Sequence, residues 1–213
     1  MKIDMHTHTK FSKDSRMEPE ELVEAAERKN LDGIAVTDHD TMEGFEEIRK
    51  MDTDLTVVPG EEITTDRGEL LGLFIEKGIK SSRPEEAVEE VKEQDGVVVV
   101  PHPFDPIRSF NGWKSLEGID GIEVFNSRNL TSGMNKKAKM YAEDNSLVRT
   151  AGSDAHSPWE VGKAYIEAEA KSVEEFKEKL LEGDVEVNGT KGSILSYIHG
   201  NLEKVRQYFK RRR

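Results

Sequence analysis

Short apolar runs alternate with charged, helix-periodic stretches along most of this chain, and no other feature restricts its fold as much. The runs at residues 2–6, 33–37, 55–58, 70–75, 97–100, 121–125 and 147–150 read as strands, with weaker ones at 163–166 and 185–187. Helical patterns lie between them. Residues 18–29 place Leu22, Ala25 and Ala26 on one side, and a further helix is expected over 43–51. Pro84 opens a helix over 85–94 with Ala87, Val88 and Val91 turned inward. Residues 135–143 group Ala138, Tyr141 and Ala142, and Ser172 with Glu175 makes a capping-box pattern for a helix that Gly183 ends. This order predicts a mostly parallel sheet with helical crossovers. Six or seven such units point to an α/β fold, a small and distorted (β/α) barrel; an open doubly wound sheet is the alternative. One domain is expected over 1–213, with a C-terminal amphipathic helix at 193–209.

Five of the six histidines fall in four short clusters, each where a strand should end. They are His6-Thr7-His8, Thr37-Asp38-His39-Asp40, Pro101-His102-Pro103 and Ser153-Asp154-Ala155-His156, and Glu61-Glu62 follows Pro59-Gly60 in the same manner. In a barrel, these positions converge on the face formed by the strands' C-terminal ends. Side chains alternate along a strand, so Asp4, His6 and His8 share one face. Buried there, they lose hydration unless the imidazoles bind something and Asp4 orients them; a polar strand end in water is the plainer reading of that motif alone. Prolines on both sides predict an extended backbone at His102, and Gly152 allows a tight turn before Asp154. Taken together in register, the clusters read as a multi-metal site.

Composition narrows the chemistry. The chain has no cysteine, so its metal ligands must be nitrogen and oxygen, and a reducing cytoplasm is compatible with it. A formal net charge of −12 argues against long duplex nucleic acid as a partner, although a local cationic or metal-lined site can still accept phosphate. The N-terminus lacks a signal-peptide core, and no apolar run reaches membrane-spanning length.

The chain resembles the polymerase-and-histidinol-phosphatase (PHP) family of metal-dependent phosphoesterases. The matching pieces are Asp4-Met5-His6-Thr7-His8, Phe11-Ser12-Lys13-Asp14-Ser15, Thr37-Asp38-His39-Asp40, Gly60-Glu61-Glu62-Ile63, Pro101-His102-Pro103 and Gly152-Ser153-Asp154-Ala155-His156, in the family's order. The resemblance implies a distorted seven-stranded barrel with two or three divalent ions, manganese, iron or zinc. It implies that His6 and His8 hold one ion, that Glu62 bridges to another shared with His102, that Asp154 is shared, and that Asp14, His39 and His156 hold a third. His39, Asp154 and His156 are the candidates for the catalytic group. The family usually has a histidine where Glu69 stands in Gly68-Glu69-Leu70-Leu71-Gly72; a carboxylate ligand there favours harder ions such as manganese.

Paired cations can activate water and neutralise the leaving oxygen of a phosphate ester. Arg108, Arg128 and Lys10 are the candidate phosphate clamps, with Asn126 beside Arg128; an arginine fork matches phosphate oxygens. Phe110 and Trp113, in the long irregular stretch after His102, could stack on a base or anchor that stretch as a lid. Glu123 could simply pair with Arg128. The leading expectation is a phosphodiesterase or exonuclease acting on nucleotides or short oligonucleotides. The alternatives are a phosphomonoesterase on a small phosphorylated metabolite, a metal-dependent amidohydrolase and a non-catalytic metal-stabilised module.

Overall fold

The computed structural model describes residues 1–110 and 112–192. The expected helix at 193–209 lies outside the described residues. The elements run β1 (Lys2–Thr7), α1 (Pro19–Arg28), β2 (Gly33–Val36), α2 (Glu43–Ile48), β3 (Thr56–Thr65), β4 (Gly68–Leu73), α3 (Pro84–Lys92), β5 (Val97–Val100), β6 (Gly121–Asn126), α4 (Ser132–Asn145), β7 (Val148–Gly152), β8 (Ala164–Glu167), α5 (Val173–Glu182) and β9 (Glu186–Gly189). Local signals explain several ends. Pro19 opens α1, and Pro84 opens α3. The Ser172 hydroxyl accepts from Glu175 N at 3.2 Å, and Gly183, at φ 77°, ends α5 in the left-handed conformation.

The nine strands of the described residues join one sheet in the order β7-β6-β5-β4-β3-β2-β1-β8-β9. The sheet curls into a distorted barrel. Beyond its end, β1 meets the segment after β7: Asp154 N donates to His6 O at 2.8 Å, and His8 N donates to Ala155 O at 2.9 Å. At the other end of β1, Lys2 and Ile3 pair with β8 instead. Seven strands therefore make the wall, and β8 wedges open its lower seam. The two weak runs at 163–166 and 185–187 supply the extra strands, giving nine rather than seven. Gly152 belongs to the closure rather than to a tight turn. A Cβ there would lie 2.2 Å from His6 Cβ, so glycine permits β7 to approach β1.

The sheet is less parallel than expected. β1–β2, β2–β3, β5–β6 and β6–β7 are parallel, whereas β4 runs antiparallel to both β3 and β5. Only Asp66 and Arg67 separate β3 from β4, too few residues for a helical crossover. β3 also continues past the expected end at residue 58. It pairs with β2 as far as Pro59 and with β4 from Gly60 onward, so Pro59, which has no N–H, sits at the change of partner. Glu61 and Glu62 consequently lie within a strand, not after one.

Apolar side chains fill the layers on either side of the wall. Ile34 and Val36 of β2 pack with Leu22, Ala26 and Ile48 of α1 and α2. Ile63, Val98 and Ile122 pack with Val91 of α3 and Ala138 of α4. Val58, Leu71, Leu73, Val97 and Val99 form another cluster with Phe176 and Leu180 of α5. The polar positions gather at one end, where the parallel strands finish.

Candidate metal centre

His6 near the end of β1 and His8 just past it present two imidazoles whose outer nitrogens are already committed. His6 Nδ1 lies 3.1 Å from Glu123 Oε1, a carboxylate that can only accept, so Nδ1 carries the proton. His8 Nδ1 lies 2.9 Å from Ser12 Oγ. That hydroxyl donates its one proton to Asp38 Oδ1 at 2.7 Å and accepts from His39 N at 3.0 Å, so His8 must donate to it. Both Nε2 atoms are thereby turned inward, 3.0 Å apart. They lie 3.3 and 3.2 Å from Glu62 Oε2, and 3.9 and 3.6 Å from Asp154 Oδ1. Two facing ring nitrogens with two carboxylates call for positive charge between them, a proton or a metal cation that displaces it. The outer carboxylate and hydroxyl are the partners that orient metal-binding imidazoles.

Glu62 is the hub. Its Oε2 also lies 3.4 Å from His39 Nδ1, and its Oε1 lies 3.3 Å from His102 Nε2. The β3–β4 hairpin brings Glu69 to the same place. Thr64 pairs with Glu69 and Glu62 with Leu71, so Glu62 and Glu69 share a face at the hairpin's turn end. Glu69 Oε2 is 3.6 Å from His102 Nε2, and Glu69 Oε1 is 3.9 Å from His39 Nδ1. On the other flank, Asp14 reaches His156 Nε2 at 3.1 Å and His39 Nε2 at 3.6 Å. The rings of His39 and His156 pack against that of His8, with centroids 4.8 and 4.4 Å away.

Asp154 joins this cluster to two arginines. Arg108 donates to Asp154 Oδ2 and, through Nε, to Asp105 Oδ2 at 3.1 Å. Arg128 donates to Asp154 Oδ1 at 3.3 Å and contacts the His156 ring. Asn126 donates to Asp154 Oδ2 at 3.1 Å and to Glu123 Oε2 at 2.8 Å. Burial would raise the carboxyl pKa of Asp154, but Arg128 and Arg108 outweigh it and hold the group well below the usual range. Glu62 is likewise buried and held low, by His39 and His6. Burial pushes His8 down, yet its bonds to Asp154 and Glu62 prevail and raise it to about 9. His156 is pushed down to about 3, by burial and then by the Arg128 guanidinium. The acids therefore stay ionised in a buried pocket, and the whole donor set suits divalent cations.

Several expected roles fall elsewhere. Asp4 does not orient the imidazoles; its carboxylate accepts from Ser153 N at 2.8 Å and Gly162 N at 2.9 Å, tying the chain after β7 to β1. Glu123 does not pair with Arg128. It orients His6 and accepts from His102 N at 2.9 Å. His102 is not extended but sits at φ 33°, and Asp154 sits at φ 55°. Such backbone persists where its surroundings over-determine it; the bond to Glu123 does so at His102. Lys10 is partly exposed, and its Nζ pairs with Glu18 at 2.7 Å and Glu47 at 3.8 Å. Phe110 and Trp113 are buried, Trp113 against Phe104 and Tyr141, and offer no open face for a base. Sequence reading missed the positioning roles of Ser12 and Glu123. An acid inside the apolar run Ile122-Glu123-Val124-Phe125 was the available signal for the second.

Comparison with known proteins agrees with this architecture. A family model described as PHP-associated matches residues 133–185. Two uncharacterized proteins of Methanocaldococcus jannaschii are similar in sequence. MJ1587 is 39% identical over 141 residues, covering 60% of this chain and 82% of that protein. MJ0417 is 36% identical over 183 residues, covering 82% and 73%. Among solved structures, a two-domain protein from Bacteroides vulgatus containing a predicted PHP-like metal-dependent phosphoesterase superposes with a TM-score of 0.71 at 22% identity, over 89% of this chain and 64% of that one. A lesion-specific endonuclease from Pyrococcus furiosus superposes with a TM-score of 0.66 at 20% identity, over 87% and 57%. The chain thus spans under two thirds of either of these larger proteins. No helix among the described residues is long and apolar enough to cross a membrane. By its ordered motifs, its barrel and these likenesses, the chain belongs to the PHP family, in one group with the two archaeal proteins.

Proposed function

We propose that this protein is a metal-dependent hydrolase of phosphate esters, acting as a phosphodiesterase or exonuclease on nucleotides or short oligonucleotides. The observation that carries the reading is the meeting of two opposite demands at Asp154. On one side, inward-facing imidazoles and ionised acids call for cations; on the other, two buried guanidiniums offer donors to an anion.

His6, His8, Glu62 and Asp154 would hold one ion, and Glu62 and His102, with Glu69, a neighbouring one. Asp14, His39 and His156 would hold a third. Manganese, iron or zinc, when bound, would supply activated water and charge neutralisation at the leaving oxygen. The remaining work belongs to the chain. Ser12 and Glu123 keep the imidazole lone pairs inward, so no ring has to turn when an ion arrives. Asp105 holds Arg108 at Nε, which fixes the guanidinium beside Asp154, where it would meet the charge of a phosphate. Asn126, whose two amide N–H groups go to Asp154 and Glu123, steadies the acid at the same spot. The acidic surface favours small or short substrates over long duplexes, and a cytoplasmic setting fits a chain without cysteine.

The test offers manganese-loaded protein p-nitrophenyl phosphate, bis-p-nitrophenyl phosphate and a panel of cyclic amides. Faster turnover of the diester is expected. Preference for the monoester would favour a small-metabolite phosphatase, and turnover of amides alone would overturn phosphoester chemistry.

A further inference from the structure

With Phe110 and Trp113 buried, the nucleotide reading needs another surface for the organic part of the substrate. Ile107, Met140, Trp159 and Leu181 are the large apolar side chains left exposed among the described residues. Met140 and Leu181 lie on α4 and α5. Ile107 and Trp159, 70% and 62% exposed, lie on the loops that carry the metal centre's own groups.

Trp159 stands at the apex of a turn closed by Glu160 N donating to Ser157 O at 3.0 Å. Glu160 Oε2 anchors that turn, accepting from His156 N at 3.1 Å and from Ser157 Oγ at 2.5 Å. The indole is thus presented by a braced turn that starts at a candidate metal ligand. Ile107 is braced in a similar way. Its N–H donates to Asp105 Oδ1 at 2.9 Å, and the next residue is Arg108, whose guanidinium bonds Asp154. A single exposed apolar residue is ordinary on a protein surface. These two stand on the loops of one polar centre, next in sequence to Glu160 and Arg108, whose side chains bond His156 and Asp154.

We propose that Trp159 is the specificity-determining residue of this site, stacking on the nucleobase of a nucleotide substrate while Ile107 bounds the other side. The inference rests on the phosphoester reading. A phosphate seated by Arg108 and Arg128 leaves its organic group directed outward, because the barrel interior behind the centre is filled by apolar side chains. A flat indole accepts any base through its π face, and such stacking selects nucleotides over bare phosphate without reading the base sequence.

The test measures binding of adenosine monophosphate, ribose 5-phosphate and inorganic phosphate to manganese-loaded wild type, Trp159→Ala and Trp159→Phe, by calorimetry and tryptophan fluorescence. The nucleotide should quench wild-type emission where ribose 5-phosphate does not. The ratio of nucleotide to phosphate affinity should fall roughly tenfold or more in Trp159→Ala and be largely kept in Trp159→Phe. An unchanged ratio in Trp159→Ala overturns the stacking role and leaves the phosphoesterase reading standing. Failure of all three anions to bind the metal-loaded wild type, with no turnover of bis-p-nitrophenyl phosphate, overturns both.

Discussion

The two sides of the metal centre are built by different kinds of strand pairing. On the β1–β2–β7 side, ligands stand at or just past the ends of parallel strands, and separate side chains distant in sequence fix each one: Ser12 for His8, Glu123 of β6 for His6, Asp14 for His39 and His156. On the β3–β4 side, Glu62 and Glu69 are placed by antiparallel register within one hairpin. The first side depends on side-chain hydrogen bonds and the second on backbone ladders. Substitutions of orienting residues should therefore hurt the first side without unfolding it, while the second should tolerate a change of ligand type.

The largest effect is expected where both sides meet. Asp154→Ala removes the acid shared by His6, His8 and the two arginines, and turnover of bis-p-nitrophenyl phosphate should fall by roughly 10³-fold or more with far-ultraviolet circular dichroism unchanged. Near-wild-type turnover would remove Asp154 from the centre. Next comes the seam of the barrel. Gly152→Ala drives a methyl group into His6, and a loss of about 1–3 kcal/mol in stability is expected by denaturant titration, together with weaker manganese binding. Equal stability and equal affinity would mean that β1 and β7 need no such close approach. Glu123→Gln and Ser12→Ala should each weaken manganese affinity by roughly 10–100-fold while leaving the melting temperature close to wild type. If calorimetry finds affinity unchanged, the imidazoles are held by something other than these two groups. Glu69→His tests the hairpin side. It should shift the preference from manganese toward zinc with a smaller change in total affinity, and an unaltered preference would mean that Glu69 is not a ligand. Lys10→Ala should leave phosphate affinity within about twofold, because its ammonium is engaged by Glu18, Glu47 and the Phe11 ring in partly exposed contacts.

The same division explains what could be read from the amino acids. Parallel strands with helical crossovers were legible because each apolar run ends in a chemically distinct cluster, as at Ile34-Ala35-Val36 before Asp38 and His39. The hairpin was not. Pro59-Gly60 looks like a strand terminator but is a change of partner, and the turn at Asp66-Arg67 reverses a strand that the alternation pattern read as parallel. Face sharing along a strand grouped Asp4 with His6 and His8, yet the register of β1 shifts between Asp4 and Thr7, and Asp4 meets Ser153 N and Gly162 N instead. The conformation of His102 escaped for a related reason: flanking prolines favour extension, and one long-range bond to Glu123 overrides them. Roles set by partners distant in sequence, as for Ser12 and Glu123, leave little local trace.

Diffraction from manganese-soaked crystals, recorded at the manganese absorption edge with phosphate present, bears most directly on the centre itself. Two or three anomalous peaks should cluster around Glu62, one of them shared with His6, His8 and Asp154, and phosphate should lie against Arg108 and Arg128. A pocket without anomalous density, or one ion bound away from Glu62, would contradict the proposed multi-metal chemistry.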